Sequence, residues 1–144
     1  MPVTIEDIYL QKHEIEKNNF IPKEAHNRIL ISRGYYASFL YACELFKGDA
    51  KYKLTLYSKS LDDKDYGSHE KIYGSLMRSG ITNLMYIGKS LQAYHKLRKD
   101  SDYKLHMHIR GYELMLAERH FKECKERIDF FIENGDKEFL APCN

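Results

Sequence analysis

Apolar residues along this chain recur at spacings of three and four, and clusters of β-branched residues with period two are absent, so the pattern is helical almost throughout. Proline stands only at positions 2, 22 and 142, which leaves the 119 residues from 23 to 141 free of the strongest helix breaker. A first helix opens at Thr4, whose hydroxyl caps a turn carrying Glu6 and Asp7, and runs to about Asn18. Pro22 presets the first turn of a long second helix that reaches about Phe46. Its apolar stripe reads Ile29, Tyr36 and Leu40, widened by Leu30, Ala37 and Tyr41. Gly48-Asp49 ends it, and residues 49–67 form a polar connection rich in lysine and tyrosine, expected to be a mobile loop. Ser68 starts a short helix to about Arg78. Ser79-Gly80 breaks it, and Thr82 caps a fourth helix that ends near Ser101 with the stripe Leu84, Ile87, Leu91, Tyr94. The last helix is expected from Leu105 to Ile132. Its seam of Leu114, Ala117, Phe121, Cys124, Ile128 and Phe131 is spaced 3, 4, 3, 4, 3.

Five helices on 144 residues make one domain with a single core, an all-α helical bundle over residues 1–133 followed by a tail over 134–144. No apolar run approaches the roughly 20 residues of a spanning helix and no signal-peptide pattern is present, so the chain is expected to be cytoplasmic and off the membrane. Cys43, Cys124 and Cys143 are odd in number and far apart, which suits two buried thiols and one in the tail better than a disulfide framework or a zinc site.

Charge is unevenly spread. Residues 89–127 hold ten Lys and Arg against six Asp and Glu, and four of the seven histidines, while the whole chain is only +2. Such a segment suits a phosphate-bearing partner, although a solvated helix face gives the same count. Extending the apolar stripes by one helical step gives a sharper clue. Arg33 falls between Ile29 and Tyr36, and Arg98 follows Tyr94, so both guanidiniums are expected on packed sides, where each needs an anion or a cleft. Asp102, one turn after Arg98, is the nearest partner. Together the three carry +1, which a phosphate would complete, and Tyr35, Tyr36 and Tyr103 are placed to stack on a base. A buried Arg–Asp–Tyr network that only fixes helix register accounts for the same residues.

The segment Ser32-Arg33-Gly34-Tyr35-Tyr36-Ala37-Ser38-Phe39, the step Ser68-His69-Glu70, and Arg98-Lys99-Asp100-Ser101-Asp102-Tyr103 resemble, in that order, the small prokaryotic HEPN proteins. The resemblance covers roughly residues 24–132. It implies an up-and-down bundle that pairs into a homodimer, with a basic cleft at the dimer axis built from the second and fourth helices. Arg33, Tyr36, His69 and Asp102 are the candidate ligand-binding residues around RNA or a nucleotide. Many relatives are metal-independent RNA endonucleases of toxin–antitoxin or antiphage defence systems; others partner nucleotidyltransferases or bind nucleotides without cleavage. In the nucleases an arginine is followed, after four to six residues, by a histidine. Here those positions after Arg98 hold Tyr103, Lys104 and Leu105, and His106 comes one residue later, so the motif is not intact.

Three function classes stay open. One is a ribonuclease in which Arg98 stabilises charge while His106 or Tyr103 handles protons. A second is a binding module, or the partner of a nucleotidyltransferase, with Tyr103 as a modification acceptor. A third is a scaffold. His106-Met107-His108 places two imidazoles about 200° apart on a helix, which excludes chelation by that pair on a helix, and neither a metal site nor a cofactor is read from the remaining residues.

Overall fold

The computed structural model describes residues 3–17, 22–47 and 54–139. Five α-helices account for most of them: α1 (Ile5–Lys17), α2 (Lys23–Cys43, continued by a 3-10 turn at Glu44–Phe46), α3 (Ser68–Met77), α4 (Thr82–Tyr103) and α5 (Gly111–Asn134). Helices α2 and α4 form the centre: α2 packs on α1, α4 and α5, and α4 packs on α2, α3 and α5. None of these helices is long and apolar enough to cross a membrane.

Local chemistry explains several boundaries. The Thr4 hydroxyl accepts the Asp7 amide at 3.1 Å while the Asp7 carboxylate accepts the Thr4 amide at 2.9 Å, a reciprocal cap on α1. Thr82, by contrast, is the first residue of α4, and the N-cap position falls to Ile81, which has no capping side chain; Ser79 accepts the Ile81 amide at 3.2 Å and donates to the Leu76 carbonyl at 2.8 Å. Helix α5 starts at Gly111, six residues later than expected. The Arg110 amide donates to Glu113 at 3.1 Å, and residues 104–110 are held out of the helix by contacts with α2 described below.

The stripes on α4 and α5 pack as their spacing predicts. Leu84, Ile87, Leu91 and Tyr94 are fully buried, as are Ala117, Cys124, Ile128 and Phe131. Each large aliphatic side chain withdrawn from water in this way stabilises the fold by about 1.5–3 kcal/mol. The phase of α2 differs from the expected one by about one residue. Its packed face is Leu30, Ile31, Gly34, Tyr35, Ala37, Ser38 and Ala42, while Ile29, Arg33 and Tyr36 lie on the exposed edge. Small residues on this face let neighbours approach closely: an added Cβ at Gly34 would stand 2.1 Å from the Tyr94 hydroxyl. At Gly88 on α4 it would stand 2.8 Å from the Tyr73 carbonyl oxygen.

The connection before α3 is tied down over its described part, 54–67. The Tyr57 amide donates to Ser75 Oγ at 2.8 Å, Arg78 donates to the Lys59 carbonyl at 2.7 Å, and the Arg78 guanidinium covers the Tyr57 ring at 3.7 Å. Gly48, Asp49 and the following residues to 53 lie outside the described residues. After α5 the chain turns back: Asn83 donates to the Lys137 carbonyl at 2.7 Å, and Phe139 packs edge-on against Phe130. Cys124 is buried and Cys43 half-buried, and burial pushes the Cys43 thiol up to about 11; Cys143 lies outside the described residues.

Candidate functional site

The last turn of α4 brings Arg98, Asp102 and Tyr103 together. Arg98 Nε stands 2.8 Å from Asp102 Oδ2, and the Tyr103 ring centroid lies 5.7 Å from the guanidinium carbon. The carboxylate lies off the N–H direction, so Arg98 Nε, itself buried, has no aligned acceptor among the described residues. Asp102 also receives the Ser32 hydroxyl of α2 at 3.5 Å. The tyrosine is 71% exposed, and its face is open to a planar partner.

Arg33 joins this cluster through a groove and not through the core. The groove, of about 370 Å³, is lined by Ile15 of α1, by Arg28, Ile29, Ser32 and Arg33 of α2, and by Asp102. Arg33 is exposed, contrary to the packed position expected for it, because Gly34 and Tyr35 take the inward face of that turn. Tyr36 stands on the same exposed edge, 37% accessible, whereas Tyr35 is completely buried and unable to stack on a ligand.

Arg28 is the arginine of α2 that is packed away. Its side chain is only 12% exposed and pairs with Glu24 at 3.1 Å. It donates to the Ser101 carbonyl at 2.7 Å and to the carbonyls of Asp100 and Lys104 at 3.4 Å, and it also reaches the Met107 carbonyl. Glu24 in turn accepts the Ile109 amide at 2.8 Å, and that bond, with the His108 and Arg28 charges, holds its carboxyl below the usual range. These contacts draw residues 104–110 against α2. His106 is therefore an exposed residue of the connection, three positions beyond α4, and no hydrogen bond or ion pair joins it to Arg98 or Asp102 among the described residues.

His69 of α3 lies in an aromatic cluster with Tyr35, Phe39 and His95, near enough to Arg98 to feel its charge. The Tyr35 hydroxyl is 2.8 Å from His69 Nδ1, the His69 and His95 rings stack at 4.6 Å, and Phe39 lies 4.3 Å from His69. Tyr73 approaches His95 Nδ1 at 3.4 Å. Burial, followed by the charges of Arg98 and Lys99, holds His69 below its ordinary pKa. For His95, burial, the neighbouring His69, Lys99 and Arg98 bring it down to about 4. Both rings are thus neutral near pH 7, and the pair adds no charge to the Arg98 side of α4.

Arg28, Glu24 and His95 were not among the residues expected at the site. Arg28 was in principle accessible to pattern reasoning, since it continues the packed stripe Ile31, Tyr35, Ser38, Ala42 backwards by one step of three. His95 carried a weaker signal, its place beside Tyr94 on the buried side of α4. Comparisons of the chain with protein-family models, with curated proteins and with solved structures found no match.

Proposed function

We propose that the chain is a HEPN-type module that pairs as a homodimer and binds RNA or a nucleotide through Arg33, Arg98, Tyr36 and Tyr103. The observation that carries this reading is the Arg98–Asp102–Tyr103 turn: one guanidinium half-neutralised by a carboxylate, beside an exposed aromatic ring, at the rim of a groove that Arg33 also lines. With one carboxylate against two guanidiniums the cluster keeps a positive charge, which suits a phosphate, and the open tyrosine faces suit a base.

The geometry favours binding over turnover. A ribose 2′-hydroxyl attack needs a proton acceptor within hydrogen-bond reach of the phosphodiester that Arg98 would hold. His95 is buried among Tyr35 and Tyr73, half-buried His69 has its Nδ1 engaged by the Tyr35 hydroxyl, and His106 stands apart from Arg98 on the connection. Incubation of the purified chain with end-labelled single-stranded RNA in a chelator tests this directly. The expected outcome is a retarded, intact RNA; cleaved RNA would establish a ribonuclease, and free RNA at high protein concentration would refute the binding role.

A further inference from the structure

We infer that Arg28, in the wall of the groove, is the positioning residue of the candidate site, fixing where Asp102 and Tyr103 stand. The inference rests on reading that site as an anion-binding surface. Asp102 and Tyr103 are the last two residues of α4, and a helix ends there with carbonyls that have no partner inside the helix. Left alone, such an end frays, and the side chains on it sample many positions.

Arg28 removes that freedom. A guanidinium offers five N–H donors in a rigid fork. Here the fork spans the last helical turn (Asp100 and Ser101), the first residue beyond it (Lys104) and the turn of the connection (Met107). Its Nε donates to Glu24 Oε1 at 3.2 Å, and the same oxygen accepts the Ile109 amide at 2.8 Å. The two side chains therefore close over both ends of the connection: Arg28 holds its carbonyls, and Glu24 the amide near its far end.

The charge matters as much as the geometry. The C-terminal end of a helix carries roughly half a negative charge, which would repel an anion brought to Arg98. Arg28 lies on those carbonyls, so the positive charges of Arg98 and Arg33 are not spent on them. A lysine at position 28 would keep the charge but, as a single ammonium on a flexible stem, cannot bridge acceptors on two levels of the backbone. Arg28→Lys thus separates fixing from charge.

The test uses the full chain, with Arg28→Lys and Glu24→Gln as the variants. Hydrogen exchange of residues 101–110, the 15N-detected Nε–H signal of Arg98 and the affinity for a labelled single-stranded RNA in chelator are read together. We expect an unchanged helical circular dichroism spectrum. Exchange in 101–110 should rise by about tenfold or more, with a displaced or broadened Arg98 signal, and Arg28→Lys should bind RNA about tenfold more weakly, as expected when several backbone hydrogen bonds are lost. Wild-type exchange in both variants overturns the inference. So does faster exchange with an unmoved Arg98 signal and unchanged affinity, which would make Arg28 purely structural. If the wild-type chain binds no RNA, the site reading fails and the functional half of the inference with it. The exchange and Arg98 signals still decide the clamp, so the two failures are told apart.

Discussion

Gly34 of α2 and Tyr94 of α4 meet so closely that a Cβ on the glycine would stand 2.1 Å from the tyrosine hydroxyl oxygen, and 2.9 Å from Lys12 Cε of α1. Tyr94 is fully enclosed and its hydroxyl has no hydrogen-bond partner among the described residues, so it has nowhere to turn. Helix propensity alone favours alanine over glycine by about 1 kcal/mol. The close approach reverses that sign: Gly34→Ala is expected to destabilise by about 1–3 kcal/mol in urea unfolding. Tyr94→Phe removes the colliding oxygen, and the double variant should recover most of the loss. A stabilised Gly34→Ala chain would contradict this contact.

Lys12 provides a second test. Its side chain is 3% exposed, its ammonium pairs with Glu16 and with Glu118 at 3.1 Å, and it lies 4.2 Å above the Phe121 ring. Both carboxylates are more than a third exposed and remain hydrated if the lysine is lost. The lysine has no such refuge. Lys12→Met is therefore expected to cost within about 1 kcal/mol, whereas Glu16→Gln with Glu118→Gln, which strands a buried cation, should cost about 3 kcal/mol. Denaturant midpoints compare the two, and the reverse order would sink the argument.

The stacked histidines set a pH dependence whose sign is fixed. The His95 pKa falls from an ordinary 6.5 to about 4 in the fold, so between those values the unfolded chain binds more protons than the native one. Stability then rises with pH across that window: the contribution is complete above about 6.5 and is lost as the pH falls towards 4. Its size is at most about 3 kcal/mol. His69, lowered for the same reasons, adds in the same direction. Carboxylates held low, such as Glu24 and Glu113, share this sign but act below their ordinary 4.5. Urea midpoints measured from about pH 4 to 7 should show the slope, and His95→Phe should flatten it; an unchanged slope in that variant would count against the assignment.

Much of this architecture is legible in the chain, and the departures from its pattern have physical causes. The stripes of α4 and α5 are made of large apolar residues and identify their packed faces directly. On α2 the packed face alternates Leu30, Ile31 and Tyr35 with Gly34, Ala37, Ser38 and Ala42, which register weakly as apolar, while Ile29 and Tyr36, equally bulky, stand at the edge. Bulk alone therefore leaves the phase of α2 ambiguous by one residue, which turns Arg33 inward and Arg28 outward in the sequence pattern. The start of α5 differs from the pattern for another reason: Arg28 and Glu24 hold residues 104–110 from about 80 positions away, a long-range effect that local propensity does not contain. Arg98 with Asp102 was foreseen because an i,i+4 pair needs only one helix.

The proposed site stands or falls on anion binding by Arg98 at the end of α4. Equilibrium titration of a labelled single-stranded RNA in chelator, comparing the wild-type chain with Arg98→Ala and with His106→Ala at matched circular dichroism, tests it most directly. The account predicts salt-sensitive binding that weakens by about tenfold or more in Arg98→Ala, the loss of a charge-assisted contact, and is unchanged in His106→Ala. Equal affinity of wild type and Arg98→Ala, or no binding by the wild-type chain, would contradict it.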